Sequence, residues 1–247
     1  MDNSSYVALS GQMALRRQLS VVANNMANAN TAGYKGEHAR FEEYLHKQGP
    51  GKDKVSFVID QASYLDTRQG GLTQTGNPLD IALQGEGWLA YEGQGGQTLF
   101  GRDGRMTISA QGDLVTVSGN RVLDEGGAPI SIPQGSGQLS ISSDGVVSGQ
   151  DGTQIATVGV FRVDDIQGYD RLGNGMFAAP EELGEAALLP EETTRLAQGF
   201  VEESNVQPIV EMTKLMEVQK AYERSSKLSE NVDDLRKRTL QTLGQKP

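Results

Sequence analysis

Two apolar stripes, one near each end of the chain, constrain the fold most strongly. Within each stripe the residues are spaced alternately three and four apart, which is the heptad pattern of a coiled-coil seam. The first stripe comprises Ala8, Gln12, Leu15, Leu19, Val22, Met26 and Ala29, and the second comprises Val218, Ala221, Ser225, Leu228, Val232, Leu235 and Thr239. Both ends of the chain are therefore predicted to form long amphipathic helices.

Neither predicted helix can bury its stripe alone. One interpretation is that the two helices pair as an antiparallel hairpin that closes a β-domain. The other is that the stripes also meet other subunits, because small and polar seam residues make an isolated helix pair weak. Such residues suit close packing among many helices in an assembly. The spacing leaves both interpretations open.

Capping residues indicate where the helices end. The first helix is expected to begin near Ser4 or Ser5, since either side chain can cap it, and to end before Gly33. Asn205 is the expected N-cap of the second helix, and Pro208 is tolerated in a first turn.

The segment between the helices has the composition of β-structure. It holds most of the 31 glycines and most of the 32 acidic residues. Short β-prone runs alternate there with Asp-Gly, Gly-Asp and Gly-Asn pairs, which are turn signals. The runs are Thr98–Phe100, Met106–Ile108, Leu114–Val117, Arg121–Leu123, Leu139–Ile141, Val146–Val147 and Ile155–Val163. They predict a small sheet sandwich or a partly open barrel.

These patterns together predict an α+β fold, with long terminal helices pairing as a coiled coil and an all-β domain between them. The expected organisation is an N-terminal helix over 1–32, an extended or loop connector over 33–74, the β-domain over 75–180, a second connector over 181–204 and a C-terminal helix over 205–247.

Composition excludes several classes of function. The chain has no cysteine and two histidines, so disulfides, thiolate catalysis and Cys-based zinc sites are excluded and no metal or cofactor is expected. A sequence pI near 4.8 argues against a nucleic-acid partner. No window of 18 consecutive apolar residues exists, so no membrane insertion is expected. The first 20 residues lack the pattern of a cleaved signal peptide.

No catalytic arrangement emerges from the sequence. Adjacent acids such as Glu42-Glu43 and Asp164-Asp165 resemble the carboxylate pair of a glycosidase, but such neighbours are expected in a segment this acidic. A carbohydrate-active enzyme on a β-scaffold is the alternative from a different functional class. No catalytic residue is predicted.

Four segments resemble one protein family. VVANNMANANTAGYKGEHARFEEYL at 21–45 resembles the N-terminal signature of bacterial flagellar rod and hook proteins. GFVEESNVQPIVEMTKLMEVQKAYERSSK at 199–227 resembles their C-terminal signature. GGLTQTGNPLDIALQGEGWLAYEG at 70–93 and FGRDGRMTISAQGDLVTVSGNRVL at 100–123 resemble the central part. The resemblance covers nearly the whole chain in order.

The resemblance implies a structural subunit whose terminal helices pair in the inner tube of the rod, with the β-domain outside. Asn24 and Asn25, besides the apolar seam, would then form hydrogen bonds at crowded subunit contacts. Gly33 and Tyr34 would turn the chain out of the tube. The reverse turn into the tube would be set by Glu203, Ser204, Asn205 and Val206.

The resemblance also implies partners and a location. The partners are other rod subunits, proximal and distal, further copies of the chain in the assembled rod, and the flagellar type III export apparatus. Export would deliver the chain to the periplasmic rod without a cleaved signal. Phe41 and Leu45 match the pattern of an export-gate signal, although an apolar i,i+4 pair is commonplace. Within the family, the features favour a proximal-type rod protein that transmits torque, and the distal rod protein is the nearest alternative.

Overall fold

The computed structural model describes residues 3–46, 55–180, 188–191 and 193–244. A helix lies at each end of the described chain and β-structure lies between them, so the predicted α+β class is confirmed. The helices are α1 (Asn3–Ala27) and α2 (Pro208–Gly244). Three short 3₁₀ helices occur at Gln94–Gly96, Ile166–Gly168 and Gly173–Gly175.

Eighteen strands are found in the described residues. They are β1 (Glu37–His46), β2 (Val55–Leu65), β3 (Leu72–Gln74), β4 (Ile81–Gln84), β5 (Trp88–Glu92), β6 (Thr98–Gly101), β7 (Met106–Ile108), β8 (Leu114–Thr116), β9 (Arg121–Val122), β10 (Ser140–Ile141), β11 (Val146–Ser148), β12 (Gln154–Thr157), β13 (Val160–Arg162), β14 (Asp170–Arg171), β15 (Phe177–Ala178), β16 (Leu189–Pro190), β17 (Arg195–Gln198) and β18 (Phe200–Glu202).

The chain divides into two compact units. We call Met1–Ala27, Glu37–Tyr64 and Gln207–Pro247 the helical unit, and Asn28–Gly36 with Leu65–Val206 the β unit.

In the helical unit, α1 and α2 pack against each other in opposite directions. Gln12, midway along α1, donates a hydrogen bond from Nε2 to the Ser229 hydroxyl at 3.0 Å. Asn25, near the end of α1, donates from Nδ2 to Glu211 in the first turn of α2 at 3.4 Å. The unit also contains the two-stranded sheet of β1 and β2, and α1 contacts β1.

The β unit is built around one large sheet, whose strands follow the order β14-β15-β6-β5-β9-β8-β7, with β13 joined to β5. Strand β5 is buried on both faces. Leu89 and Tyr91 belong to one hydrophobic cluster, whereas Trp88 and Ala90 belong to another. A strand covered on both sides shows a continuous apolar run rather than an alternation.

The last strands of the β unit pair with its first strands. β17 pairs antiparallel with β4, and Leu196 lies opposite Leu83. β18 pairs antiparallel with β3, and Glu202 lies opposite Leu72. A separate three-stranded sheet is formed by β10, β11 and β12.

The predicted β-prone runs between 98 and 163 coincide with strands to within one or two residues at their ends, except that the run Ile155–Val163 is divided between β12 and β13. The segment 33–74, expected as an extended or loop connector, contains β1, β2 and β3. The charged residues of β1 obscure any period-two pattern, whereas β3 is too short to show one. The expected cap at Asn205 is wrong, because its side chain bonds to other segments, as described below.

Candidate functional site: helix surfaces and a buried ion cluster

One face of each terminal helix is turned toward the other helix. Val22 and Val218 are buried, and the remaining inward members of the predicted stripes are half-buried. The half-buried stripe members on the helices are Ala8, Gln12, Leu15, Leu19, Met26, Ala221, Ser225 and Val232. The two helices therefore bury part of both stripes against each other.

Three members of the second stripe, Leu228, Leu235 and Thr239, are exposed to solvent. Leu228 is 62% exposed and Leu235 is 63% exposed. The buried side of α2 instead passes through Glu211, Val218 and the half-buried Ser229, so the predicted stripe straddles two faces of the helix. Other exposed apolar residues on the helices are Leu9, Met13, Ile209, Val210, Met212 and Met216. Ile209, Met212 and Met216 are spaced three and four residues apart and so share one helix face, and an exposed apolar patch of this kind is typical of an interaction site.

The two predicted asparagines differ in their environments. Asn24 is exposed, whereas Asn25 is buried. Asn25 Oδ1 accepts the Glu37 N–H at 2.8 Å, and Nδ2 donates to the Glu37 carbonyl at 2.7 Å. The side-chain amide thus pairs with the first residue of β1 as a neighbouring strand does. Its further bond to Glu211, which also pairs with Lys214 at 2.6 Å, joins α1, β1 and α2.

The residues predicted to turn the chain after α1 are buried in the β unit. Gly33 has φ +66°, a left-handed conformation that favours glycine. A Cβ there would collide with the backbone of Arg102 and Asp103. The Gly33 N–H donates to the Glu202 carbonyl at 2.8 Å. Tyr34, also buried, accepts a hydrogen bond on its carbonyl from the Asn205 N–H at 3.3 Å.

The residues predicted to turn the chain before α2 are held by local and distant hydrogen bonds. Ser204 Oγ accepts the N–H of Val206 at 3.2 Å. Asn205 Oδ1 accepts the Gly36 N–H at 2.8 Å, and Nδ2 donates to the carbonyls of Asp66 and Arg68 at 2.7 and 3.0 Å. Asn205 therefore ties together three segments of the β unit instead of capping α2.

A buried ion cluster, formed by Lys35, Arg102 and Glu202, was missed by sequence reasoning. Lys35 Nζ lies 2.5 Å from Glu202 Oε1, and Arg102 Nη1 lies 3.2 Å from Glu202 Oε2. All three side chains are buried. The residues are 167 and 100 positions apart from Glu202, so no local pattern reveals their contact.

Neutral groups complete the surroundings of the ion cluster. Lys35 Nζ also donates to the Arg68 carbonyl at 2.8 Å, and Arg102 Nη2 donates to the Gly85 carbonyl at 3.0 Å. Glu202 Oε1 accepts the Gly70 N–H at 2.9 Å. The Arg102 guanidinium lies 5.3 Å from the ring centroid of Trp88, within the range of a cation–π contact.

Burial lowers the pKa of Lys35, because a charged ammonium loses its hydration inside the unit. The Glu202 carboxylate raises the pKa of Lys35 by direct attraction and hydrogen bonding, which opposes the effect of burial. The positive charge of Arg102 lowers the pKa of Lys35 further. The cluster contains two cations and one carboxylate, so the balance of charge within it is incomplete.

The predicted export-gate residues Phe41 and Leu45 lie in β1, and their side chains are outside the described residues. In the described part of the chain, no group of three or more His, Cys, Asp or Glu side chains is placed to hold a metal ion. Neither described helix contains a stretch long and apolar enough to span a membrane.

Comparison with known proteins identifies the same family at three places in the chain. Residues 6–35 match the model of the flagella basal body rod protein. Residues 82–149 match the D1 domain of the flagellar hook protein FlgE/F/G. Residues 197–242 match the C-terminal model of the flagellar basal body rod FlgEFG protein.

Full-length relatives carry related names. The flagellar basal-body rod protein FlgF of Mesorhizobium japonicum is 39% identical over 249 residues, covering 100% of both chains. FlgF of Caulobacter vibrioides is 38% identical, covering 99% of each chain. The flagellar basal-body rod protein FlgG of Agrobacterium fabrum is 32% identical, covering 93% of this chain and 95% of its own.

These relatives confirm the resemblance found in the sequence and favour the FlgF type over FlgG. They belong to a family of structural rod proteins, which disfavours the carbohydrate-active enzyme alternative. Because the similarity spans the whole chain and all three family models fall on it in order, the chain belongs to the flagellar basal-body rod protein family.

Proposed function

We propose that this chain is a non-enzymatic structural subunit of the bacterial flagellar basal-body rod, of the FlgF type, which assembles axially with other rod proteins and with copies of itself to transmit torque. The observation that carries the proposal is the outward apolar surface of α1 and α2. A subunit that buries this surface against its neighbours gains a contact that resists rotation and shear without any chemistry.

The same proposal includes the finer architecture. The alternating spacing of three and four residues supports pairing of α1 and α2 as a coiled coil. Burial of β5 on both faces supports a sandwich or a partly open barrel for the central strands. In the assembled rod, the half-buried members of the stripes would be covered further by the helices of neighbouring subunits.

The proposal places the chain in the periplasmic rod and makes the flagellar type III apparatus its export route, without a cleaved signal. The export-gate role of Phe41 and Leu45 belongs to this proposal, and family membership is its support. Within the rod, the FlgF-type relatives support a proximal position. A distal position of the FlgG type is the second candidate, favoured by the 32% identity to FlgG of Agrobacterium fabrum.

A charge placed on the outward surface tests the assembly role. We expect Leu228→Glu to abolish motility in cells that depend on this chain, because a carboxylate buried at a subunit contact has no partner there. The isolated variant should keep the wild-type stability to within about 0.5 kcal/mol, since the side chain is 62% exposed in the monomer. Swimming in soft agar and urea denaturation measure the two effects.

Gln111→Glu is the control. It introduces the same side chain at an exposed turn of the β unit, outside the apolar surface of the two helices. Normal motility of Gln111→Glu beside immotile Leu228→Glu supports the proposal. Normal motility of Leu228→Glu contradicts an assembly role for this face.

A further inference from the structure

The ion cluster joins residues that are far apart in the chain, and its only acid comes last among them. Lys35 lies in the first segment of the β unit and Arg102 follows β6, whereas Glu202 ends β18. In the described part of the chain, Glu202 is the one carboxylate that contacts both cations. Until Glu202 arrives, neither cation has this partner.

Burial makes the order of arrival important. Lys35 and Arg102 are both buried in the closed β unit, and leaving a buried charge without its partner is strongly destabilising. The carbonyls of Arg68 and Gly85 accept hydrogen bonds from the two cations, but they carry no compensating charge. The Nε of Arg102 is buried with no hydrogen-bond partner among the described residues, so this guanidinium depends heavily on the carboxylate.

Strand pairing imposes the same order. β3 and β4 come first among the strands lying wholly within the β unit, and they pair with its last strands, β18 and β17. Leu83 of β4 and Leu196 of β17 face each other and join the same hydrophobic cluster. The Glu202 carbonyl also accepts the Gly33 N–H, so backbone and side chain of one residue fix two early segments.

We infer that Glu202 gates the folding of the β unit: its carboxylate must reach Lys35 and Arg102 before the unit closes, so that closure waits for the last strand. A chain that emerges N-terminus first keeps its β unit open until residue 202 is free. Premature closure is suppressed because two cations would be buried without a carboxylate in contact. This inference concerns folding order and holds whatever the position of the subunit in a rod.

Refolding kinetics of the full-length chain test the gate. Trp88 is the single tryptophan and lies over Arg102, so its fluorescence reports closure at the cluster. Glu202→Gln removes the charge while keeping an amide oxygen for the Gly70 N–H. We expect it to lower the folding equilibrium constant by about 100-fold or more. If Glu202 gates folding, its contact with the two cations already exists in the transition state. Most of the decrease in the folding equilibrium constant must then come from slower refolding.

Glu203→Gln is the control, since it makes the same change one residue later. Glu203 is exposed and accepts a hydrogen bond from Thr73 Oγ1 at 2.6 Å. We expect its refolding rate to stay within about twofold of the wild type. If Glu202→Gln does not fold in the absence of denaturant, Glu202→Asp is used instead. This variant keeps the carboxylate but has a shorter side chain that reaches less far toward the two cations.

The two outcomes are distinct. Slower refolding of the Glu202 variant, with little change in its unfolding rate and none in Glu203→Gln, supports the gate. A wild-type refolding rate combined with faster unfolding means that the cluster forms after closure, and it overturns the inference.

Discussion

At the residue scale, two side-chain amides take the place of regular secondary structure. Asn25 pairs with both backbone groups of Glu37, and Asn205 joins Gly36 to the carbonyls of Asp66 and Arg68. Buried backbone groups need such partners wherever a chain leaves a helix or strand. The ion cluster differs from these amides because its stability depends on charge, and therefore on pH.

The lowered pKa of Lys35 fixes the sign of that dependence. Between the lowered value in the folded protein and the ordinary 10.5, the unfolded chain binds more protons than the folded one. The contribution of Lys35 to the free energy of unfolding therefore rises with pH in that window. We expect the wild type to gain stability relative to Lys35→Met as pH increases toward 10.5, by at most about 1.4 kcal/mol per pH unit.

Urea denaturation of both proteins between pH 7 and pH 10 measures this difference. Lys220→Met, which removes an exposed lysine outside the ion cluster, is the matched control. A difference between wild type and Lys35→Met that stays constant, or that moves against the wild type, contradicts the assigned environment of Lys35.

At the scale of elements, α2 and β5 differ most in how far their apolar residues are buried. The four residues from Trp88 to Tyr91 are buried on both faces of the sheet, whereas α2 exposes Leu228 and Leu235. Helical stability in proteins comes mainly from packing of an apolar face. A helix whose apolar residues remain in solvent is therefore the less stable element of the free monomer.

Hydrogen exchange on the monomer checks this contrast. We expect amides of α2 between Leu228 and Leu235 to exchange at least about tenfold faster than those of β5, after correction for intrinsic rates. Assembly should slow exchange in α2 and leave β5 unchanged, because only the helix gains contacts. Equal and strong protection of both elements in the monomer would mean that the helical unit is complete without neighbours.

At the scale of the whole molecule, the α+β class, the terminal helices and the short central strands follow from the sequence. Heptad spacing and Gly-Asp turn pairs are local patterns, and a local pattern can be recognised in a single sequence. Strand β1 does not follow, since Glu37–His46 is highly charged. Strand β2 was missed although Val55–Leu65 is rich in β-prone residues and holds one acid. The ion cluster does not follow either, because Lys35, Arg102 and Glu202 meet only after the chain has folded.

The same scale decides which face of α2 is the functional one. Spacing alone places Val218 and Leu228 in one stripe, but only Val218 is buried. The sequence thus predicts that the helix has an apolar surface, whereas the structure separates the part that is buried within the subunit from the part that stays exposed.

Quantitative mass spectrometry of basal bodies purified from cells that express this chain tests whether the chain is a structural subunit of the rod. We expect the chain to be present at a low and fixed ratio to the other rod proteins. A ratio several-fold above them would assign it to the distal rod instead of the proximal position. Complete absence from purified basal bodies would contradict its role as a structural subunit of the rod.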